Sequence, residues 1–307
     1  MKKQISTYDY KQSPFFKLTT KKKLAAVLQV ALEDLDDLQG LTKEYRKAWL
    51  HKKDKKKWLN EQPSPEESKF YRPIDLPPEK LKAVQKRIER ILSRIKIPDN
   101  IYSPAKGRSY VDNAKAHRHS KSVYSMDIEN YFPSTSKSKI RKYFRDFMMC
   151  SDDVSAIIAT IAIKENGLPQ GSPCSPILAY FANQKMWNEI TAKAEEDGRI
   201  STIYADDLTI SGDTVPVKII YEIKLIISKH GMSVKSEKDK SSYMRPSKIT
   251  GVVVSGGELL LPNEKHLKIK EASSDVKKAK TEKHRVAAVN KLRSRQSQKR
   301  QIQAANL

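Results

Sequence analysis

Two adjacent carboxylates, Asp206 and Asp207, sit inside the short apolar string Ile203-Tyr-Ala-Asp-Asp-Leu-Thr209, where like charges must either turn out to solvent or be balanced by a cation. Ile200 to Tyr204 and Asp207 to Ser211 are both rich in β-branched and apolar residues, so the spacing predicts a hairpin with Ala205 and Asp206 near its turn. Successive strand side chains point to opposite faces, so the two carboxylates cannot both look squarely at one ion. Asp206 is expected to be the direct ligand and Asp207 a more peripheral one. Taken alone, the dipeptide reads more simply as a hairpin turn satisfied by its own backbone.

Context upstream changes that reading. In Ser122 to Ser134, Tyr124, Met126 and Ile128 alternate with Ser125 and Asp127, so a strand there buries the first set and turns Asp127 to the other face. Three aspartates at strand ends repel one another unless cations neutralise them, and the hard ion that prefers oxygen and keeps its waters is Mg²⁺. Two such ions form the usual clamp for in-line phosphoryl transfer.

At this point the residues resemble a known family, the reverse transcriptases, and among them the bacterial retron type. The resemblance runs from about Tyr71 to Gly257, in the family's order. Tyr71-Arg72-Pro73-Ile74 with Leu81 to Leu92 looks like the first fingers block, and Asn113-Ala114-Lys115-Ala116-His117 matches the Asn-Ala-x-x-His signature of retron enzymes. Asp127 to Ser134 resembles the first carboxylate block, Leu168-Pro169-Gln170-Gly171-Ser172-Pro173 the loop shaping the nucleotide pocket, and Tyr204-Ala205-Asp206-Asp207 the hallmark box. His230 through Lys238 is similar to the next block, with Lys235 where many relatives carry Asn. Ile249-Thr250-Gly251 looks like the retron Val-Thr-Gly triplet with Ile in place of Val.

The resemblance implies an α+β right-hand polymerase fold: fingers, an antiparallel palm sheet backed by helices, and a small helical thumb. Residues 1–62 are expected to form an N-terminal helical region, 63–257 fingers and palm, and 258–307 a basic helical thumb with an RNA-binding tail. It implies RNA-directed DNA synthesis from deoxynucleotides, with Asp127 and Asp206 holding two Mg²⁺ ions, Asp207 assisting and the Ile128 carbonyl as an extra oxygen ligand. Phe132 matches the position whose ring excludes a ribose 2′-hydroxyl; its plain alternative is a core phenylalanine beside Pro133. Gln170 and Gly171 would lie near the nucleotide, Gly171 because a close backbone approach tolerates no side chain. Lys238 matches a lysine proposed to protonate pyrophosphate, a solvated lysine being the alternative, and Arg72 would pair with the triphosphate. Asn113, His117, Thr250 and Gly251 would serve recognition of the enzyme's own RNA, His117 as a hydrogen-bonded orienting residue rather than a catalyst.

A retron enzyme would bind a cognate structured noncoding RNA, start from a guanosine 2′-hydroxyl, keep the branched RNA–DNA product, and act with a nearby-encoded effector protein in antiphage defence. The competing readings are another small bacterial reverse transcriptase, of abortive-infection or group II intron kind, and a noncatalytic RNA-binding scaffold. A group II enzyme is expected to need a maturase segment after the thumb, for which about fifty residues leave no room.

Charge fits a polyanion partner: 59 Lys plus Arg against 36 Asp plus Glu give +23 over 307 residues. A membrane surface would satisfy the same charge, but no apolar run reaches the roughly 18 residues that span a bilayer, and Met1 to Thr7 leads into no apolar signal region. A cytoplasmic protein without membrane contact is expected. Cys150 and Cys174 have no metal-ligand spacing and read as reduced thiols.

Along the chain, Leu24, Val27, Leu28, Ala31 and Leu35 predict one amphipathic helix from Thr20 to a stop at Gly40, packed on the fingers or docking a partner. The lysine-rich stretch from Arg46 to Lys57, with Trp49 and Trp58, reads as a solvated helix face or loop, or as a phosphate-tracking segment. Pro63 to Pro78 reads as an extended connector. Helices are expected over Leu81–Leu92, Ile140–Ile163 with a break near Ser151, Pro176–Ala194 and Ile219–Lys229. From Pro262 onward 13 Lys and Arg face 4 acids over a thin apolar stripe, and Ser294 to Leu307 are expected to order only on RNA.

Overall fold

The computed structural model describes residues 6–307 apart from 53, 55, 236 and 238. The fold is α+β, with three sheets in chain order. Thr20 caps helix α1 (Lys21–Leu28) by accepting the Lys23 N–H, and Gln29 at φ 61° ends it. A second helix, α2 (Asp34–Gly40), follows. The single helix expected from Thr20 to Gly40 is thus two: the left-handed Gln29 lets Val30 N–H bond Ala25 O, and Asp34 accepts the Ala31 N–H as the chain restarts.

Residues 46–59 correct the helical expectation for 1–62. They form β1 (Arg46–His51) and β2 (Trp58–Leu59), with the lysine-rich stretch between them. Ala48 and Leu50 are buried while the alternating Trp49 and His51 are only half-buried, the period-2 pattern of a half-covered strand. The proline-rich connector likewise holds a one-turn helix, α3 (Pro65–Ser68), and a strand, β3 (Tyr71–Leu76), which pairs antiparallel with β1 from Arg46↔Leu76 to His51↔Tyr71. A boundary at residue 62 would cut this sheet.

Helix α4 (Glu79–Leu92) buries Leu81, Val84, Ile88, Ile91 and Leu92 in the main core, and each such burial is worth ~1.5–3 kcal/mol. Next come β4 (Ile101–Ser103), α5 (Tyr110–Ala116) and β5 (Ser122–Asp127). Helices α6 (Lys137–Lys142) and α7 (Asp152–Ala162) flank a π-helical segment at Tyr143–Phe147, with the break near Ser151. Helices α8 (Ser175–Ala182) and α9 (Gln184–Glu195) divide at Asn183 the helix expected over 176–194. Then follow β6 (Ile200–Tyr204), β7 (Asp207–Gly212), α10 (Val217–Lys229) and β8 (Lys240–Tyr243).

The central sheet has order β4-β6-β7-β5-β8, antiparallel except that the edge strand β4 runs parallel to β6. One face, with Met126, Ile203, Leu208 and Ile210, packs on Ile177, Trp187 and Ile223 of α8, α9 and α10 in the main core. Trp187 satisfies its buried indole N–H on Tyr131 Oη at 2.9 Å.

The C-terminal sheet is β9 (Ser247–Ile249), β10 (Val252–Ser255) and β11 (Glu258–Leu260), followed by α11 (Asn263–Lys278) and α12 (Glu282–Ala304). A boundary at 257/258 would split the β10–β11 hairpin. Residues 294–307 are not a loose tail but the end of α12 and its cap. Ile302 is 2% exposed in a second core with Val111, Val123, Val252 and Leu259, and the Asn306 amide bonds both N and O of Leu259 at 2.9 Å. Among the described residues, no helix is long and apolar enough to cross a membrane.

Candidate active site

The second face of the central sheet carries the site. Directly opposed residues of antiparallel strands share a face, so the register Asp127↔Asp207 and Tyr204↔Asp207 puts both carboxylates on this face. The next row back is Lys240, Ser125, Thr209 and Thr202, with Ser125 and Thr209 hydroxyls 3.4 Å apart. One row further, Val123 and Ser211 lie under α5 and the second core. The face is therefore covered at one end of β5 and open at the other, where Asp127 stands.

Asp206 sits in the two-residue turn between β6 and β7. Ala205 takes φ 59°, a left-handed conformation that costs an L-residue roughly 1–2 kcal/mol. The turn is tied to the chain leaving β5 by Ile128 N–H to Asp206 O at 2.9 Å. That chain is also held from the other side, by Lys235 N–H to Asp127 O at 3.0 Å and Glu129 N–H to Ser233 O at 2.8 Å. Asp127 is 4% exposed, and the Ile128 side chain is fully buried.

Register refines the expected division of labour. Asp207, expected to be peripheral, is the residue aligned with Asp127, while Asp206 sits in the adjoining turn. An open groove runs along Asp127, Asp207, Thr209, Lys240, Lys248 and Thr250. It continues past Tyr110, Tyr204 and Gly251. Hard carboxylate oxygens beside ammonium groups suit a divalent cation that carries phosphate. Among the described residues no group of three His, Cys, Asp or Glu side chains is gathered so as to hold a metal ion by itself, so a cation bound here would need further oxygens from water and phosphate.

Phe132 is half-buried against the main core, its ring 5.7 Å from that of Tyr131, and its carbonyl accepts the Leu168 N–H at 3.2 Å. The Gln170 carbonyl accepts the Asp75 N–H at 2.8 Å. A Cβ on Gly171 would lie 2.3 Å from Asp75 O, so the close approach requiring this glycine is made by the protein's own β3 backbone. Arg72 is exposed on the same strand. These residues form a contact between the 168–171 loop and β3, joined to Phe132 through Leu168. Lys238 lies outside the described residues.

Asn113 and His117 are buried, at 1% and 0% exposure. Imidazole Nδ1 of His117 lies 2.6 Å from Ser211 Oγ and Nε2 lies 2.7 Å from Thr202 Oγ1, and burial depresses its pKa to about 3. It pins α5 to the sheet as a neutral ring. Thr250 and Gly251, at φ 44° and 86°, form the β9–β10 turn. The Thr250 hydroxyl donates to Tyr110 O at 2.8 Å and stands 3.3 Å from Asn113 Nδ2. The two short motifs thus touch each other beside the carboxylates.

Lys240, Lys248 and Tyr110, which line the groove, and Gly167, which packs on the segment carrying Phe132, were missed by sequence reasoning. Gly167 had a local signal, a glycine between two helical patterns; its Cβ would lie 2.1 Å from Pro133 O, so the loop packs directly on the segment holding Phe132. The lysines gave none, because only strand register brings them to the carboxylates. Both cysteines are free and buried, and burial pushes their pKa values up to about 11 for Cys150 and about 12 for Cys174.

Comparison with known proteins matches residues 50–254 to the family described as reverse transcriptase (RNA-dependent DNA polymerase). The Retron Se72 reverse transcriptase of Salmonella heidelberg is 28% identical over 250 residues, covering 76% of this chain and 64% of that protein. The Retron Ec86 reverse transcriptase of Escherichia coli is 32% identical over 206 residues, 66% of this chain and 64% of that one. The Retron Ec48 reverse transcriptase of Escherichia coli is 25% identical over 277 residues, 85% of this chain and 65% of that one. The chain spans just under two thirds of the length of these relatives.

Proposed function

The chain belongs to the reverse transcriptase (RNA-dependent DNA polymerase) family, and on that premise we propose that it copies an RNA template into DNA as a retron enzyme. The observation that carries the reading is the alignment of Asp127 with Asp207 at the open end of one sheet face, with Asp206 in the adjoining turn. In this assignment residues 46–92 serve as fingers, the central sheet with its helices as palm, and β9 to α12 as thumb.

Two Mg²⁺ ions held by Asp127, Asp206 and Asp207, with the Ile128 carbonyl, would lower the pKa of the primer hydroxyl and neutralise the leaving pyrophosphate. The chain's own residues do the rest. Lys240 and Lys248 line the groove and attract phosphate. Phe132, fixed by Leu168, presents a ring to the sugar and excludes a 2′-hydroxyl by volume. Gln170 and Arg72 contact base and triphosphate, Gly171 locks the Gln170 loop to β3, which carries Arg72, and Lys238 is assigned the pyrophosphate proton.

The partners in this reading are deoxynucleotides, a cognate structured noncoding RNA and its DNA product, primed from a guanosine 2′-hydroxyl. An effector protein acting with it in antiphage defence, and a cytoplasmic location, belong to the same reading. Asn113 and His117 are buried, so their part in RNA recognition is to position α5 and the Thr250 turn. Incubating purified protein with an RNA template, an annealed DNA primer, deoxynucleotides and Mg²⁺ tests the polymerase reading. Primer extension that stops on chelation is expected; binding without extension would favour the scaffold. Sequencing the nucleic acid that copurifies tests the retron reading, which expects one structured RNA joined to DNA.

A further inference from the structure

Arg118, His119 and Lys121, which directly follow the buried Asn113–His117 motif, line a surface cleft together with Arg245 and the Gly256-Gly257 turn, which flank the Thr250-Gly251 turn on either side. We propose that this cleft binds single-stranded RNA. The proposal rests on the polymerase reading only in expecting a nucleic-acid partner.

Its chemistry points to a nucleotide strand. The rim is cationic, and among the described residues no carboxylate lines it; Lys121 pairs with Asp213 at 3.1 Å, where both side chains are largely exposed and such a pair is worth little. Arg118 Nε donates to His119 Nε2 at 2.8 Å, which sets the guanidinium beside an exposed imidazole ring. The floor is apolar, made by Val123 and Val254, so a base can rest on it while phosphates meet the rim. Gly256 and Gly257, at φ 57° and 82°, bring bare backbone to the edge. A duplex hides its base faces, whereas loops and single strands of RNA offer them.

The cleft is separate from the carboxylates. Val123 and Asp127 lie on the same face of β5, four residues apart, which is roughly 13 Å at the rise of a strand. The Ile249–Val252 hairpin turn intervenes on the groove side. A strand held at the cleft is therefore compatible with a primer–template at Asp127.

The test uses a labelled single-stranded oligouridine and full-length protein whose polymerase groove is saturated with unlabelled primer–template duplex. The triple variant Arg118→Gln, Lys121→Gln, Arg245→Gln is compared with Lys21→Gln, Lys22→Gln, Lys23→Gln, which removes the same charge from exposed positions on α1. Cleft substitution should weaken oligouridine binding at least tenfold and lower the slope of log Kd against log salt by about 2, at ~0.7 per single-strand phosphate contact. The α1 variant should bind within twofold of wild type, and both variants should extend the duplex primer normally. Equal weakening by both variants, or unchanged binding by the cleft variant, would overturn the site. Loss of primer extension in the cleft variant alone would overturn its separation from the polymerase groove. Wild-type protein that extends no primer would sink the polymerase reading, and the binding comparison would still decide the cleft.

Discussion

His117 is a histidine that has lost its usual chemistry. Both ring nitrogens are engaged by hydroxyls, and burial holds its pKa near 3, well below the unfolded value of 6.5. A depressed histidine is neutral in the folded state, so its contribution is fully present above pH 6.5 and is lost as pH falls toward 3. Between pH 6.5 and 5 that amounts to about 2 kcal/mol, from 1.36 kcal/mol per pH unit. Denaturant unfolding at both pH values should show wild type losing about this much more than His117→Gln; parallel losses would mean the ring is not buried as a neutral base. Phe132 makes a second prediction at this scale. Phe132→Val should admit ribonucleotides while deoxynucleotide addition persists, measured as the ratio of the two kcat/KM values. An unchanged ratio with normal synthesis would return Phe132 to the core.

Turns and loops, more than strands, decide how the elements meet. Thr250 bridges Tyr110 O and Asn113, so Thr250→Ala should impair use of the copurified RNA while extension of a generic primer–template survives, and Thr250→Ser, which keeps the hydroxyl, should restore it. Equal losses in both assays would make the turn a structural support of the palm. Gly167→Ala should cost about 1–3 kcal/mol, the usual range for overpacking, because its Cβ meets backbone that cannot rotate away. The central strands were legible in sequence because alternation at Tyr124–Ile128 and the Asp-Asp hairpin both carry a period of 2. Strand β1 was not, since lysines around Trp49 and Trp58 mask a short buried alternation at Ala48 and Leu50 that only pairing with β3 stabilises. The break at Gln29 was hidden too, because a non-glycine residue takes the left-handed conformation there.

Across the whole molecule, a surface of net charge +23 surrounds one sheet face whose open end is acidic. The carboxylates were readable from motif and spacing, but the lysines facing them and the anchoring of α12 come from contacts between residues far apart in sequence. Truncating Lys291 to Leu307 would remove the Ile302 and Asn306 anchors as well as charge, so a fall in melting temperature is expected along with weaker RNA binding. Arg293→Gln, Lys299→Gln, Arg300→Gln separates the two, flattening the salt dependence of binding without lowering the melting temperature. The central claim, that the sheet-end carboxylates form the catalytic metal site, is tested most directly by Asp206→Asn. Mg²⁺-dependent primer extension and RNA affinity are measured on the same preparation. Extension should fall below a few per cent of wild type with RNA affinity unchanged, and extension at or near the wild-type rate would contradict the account.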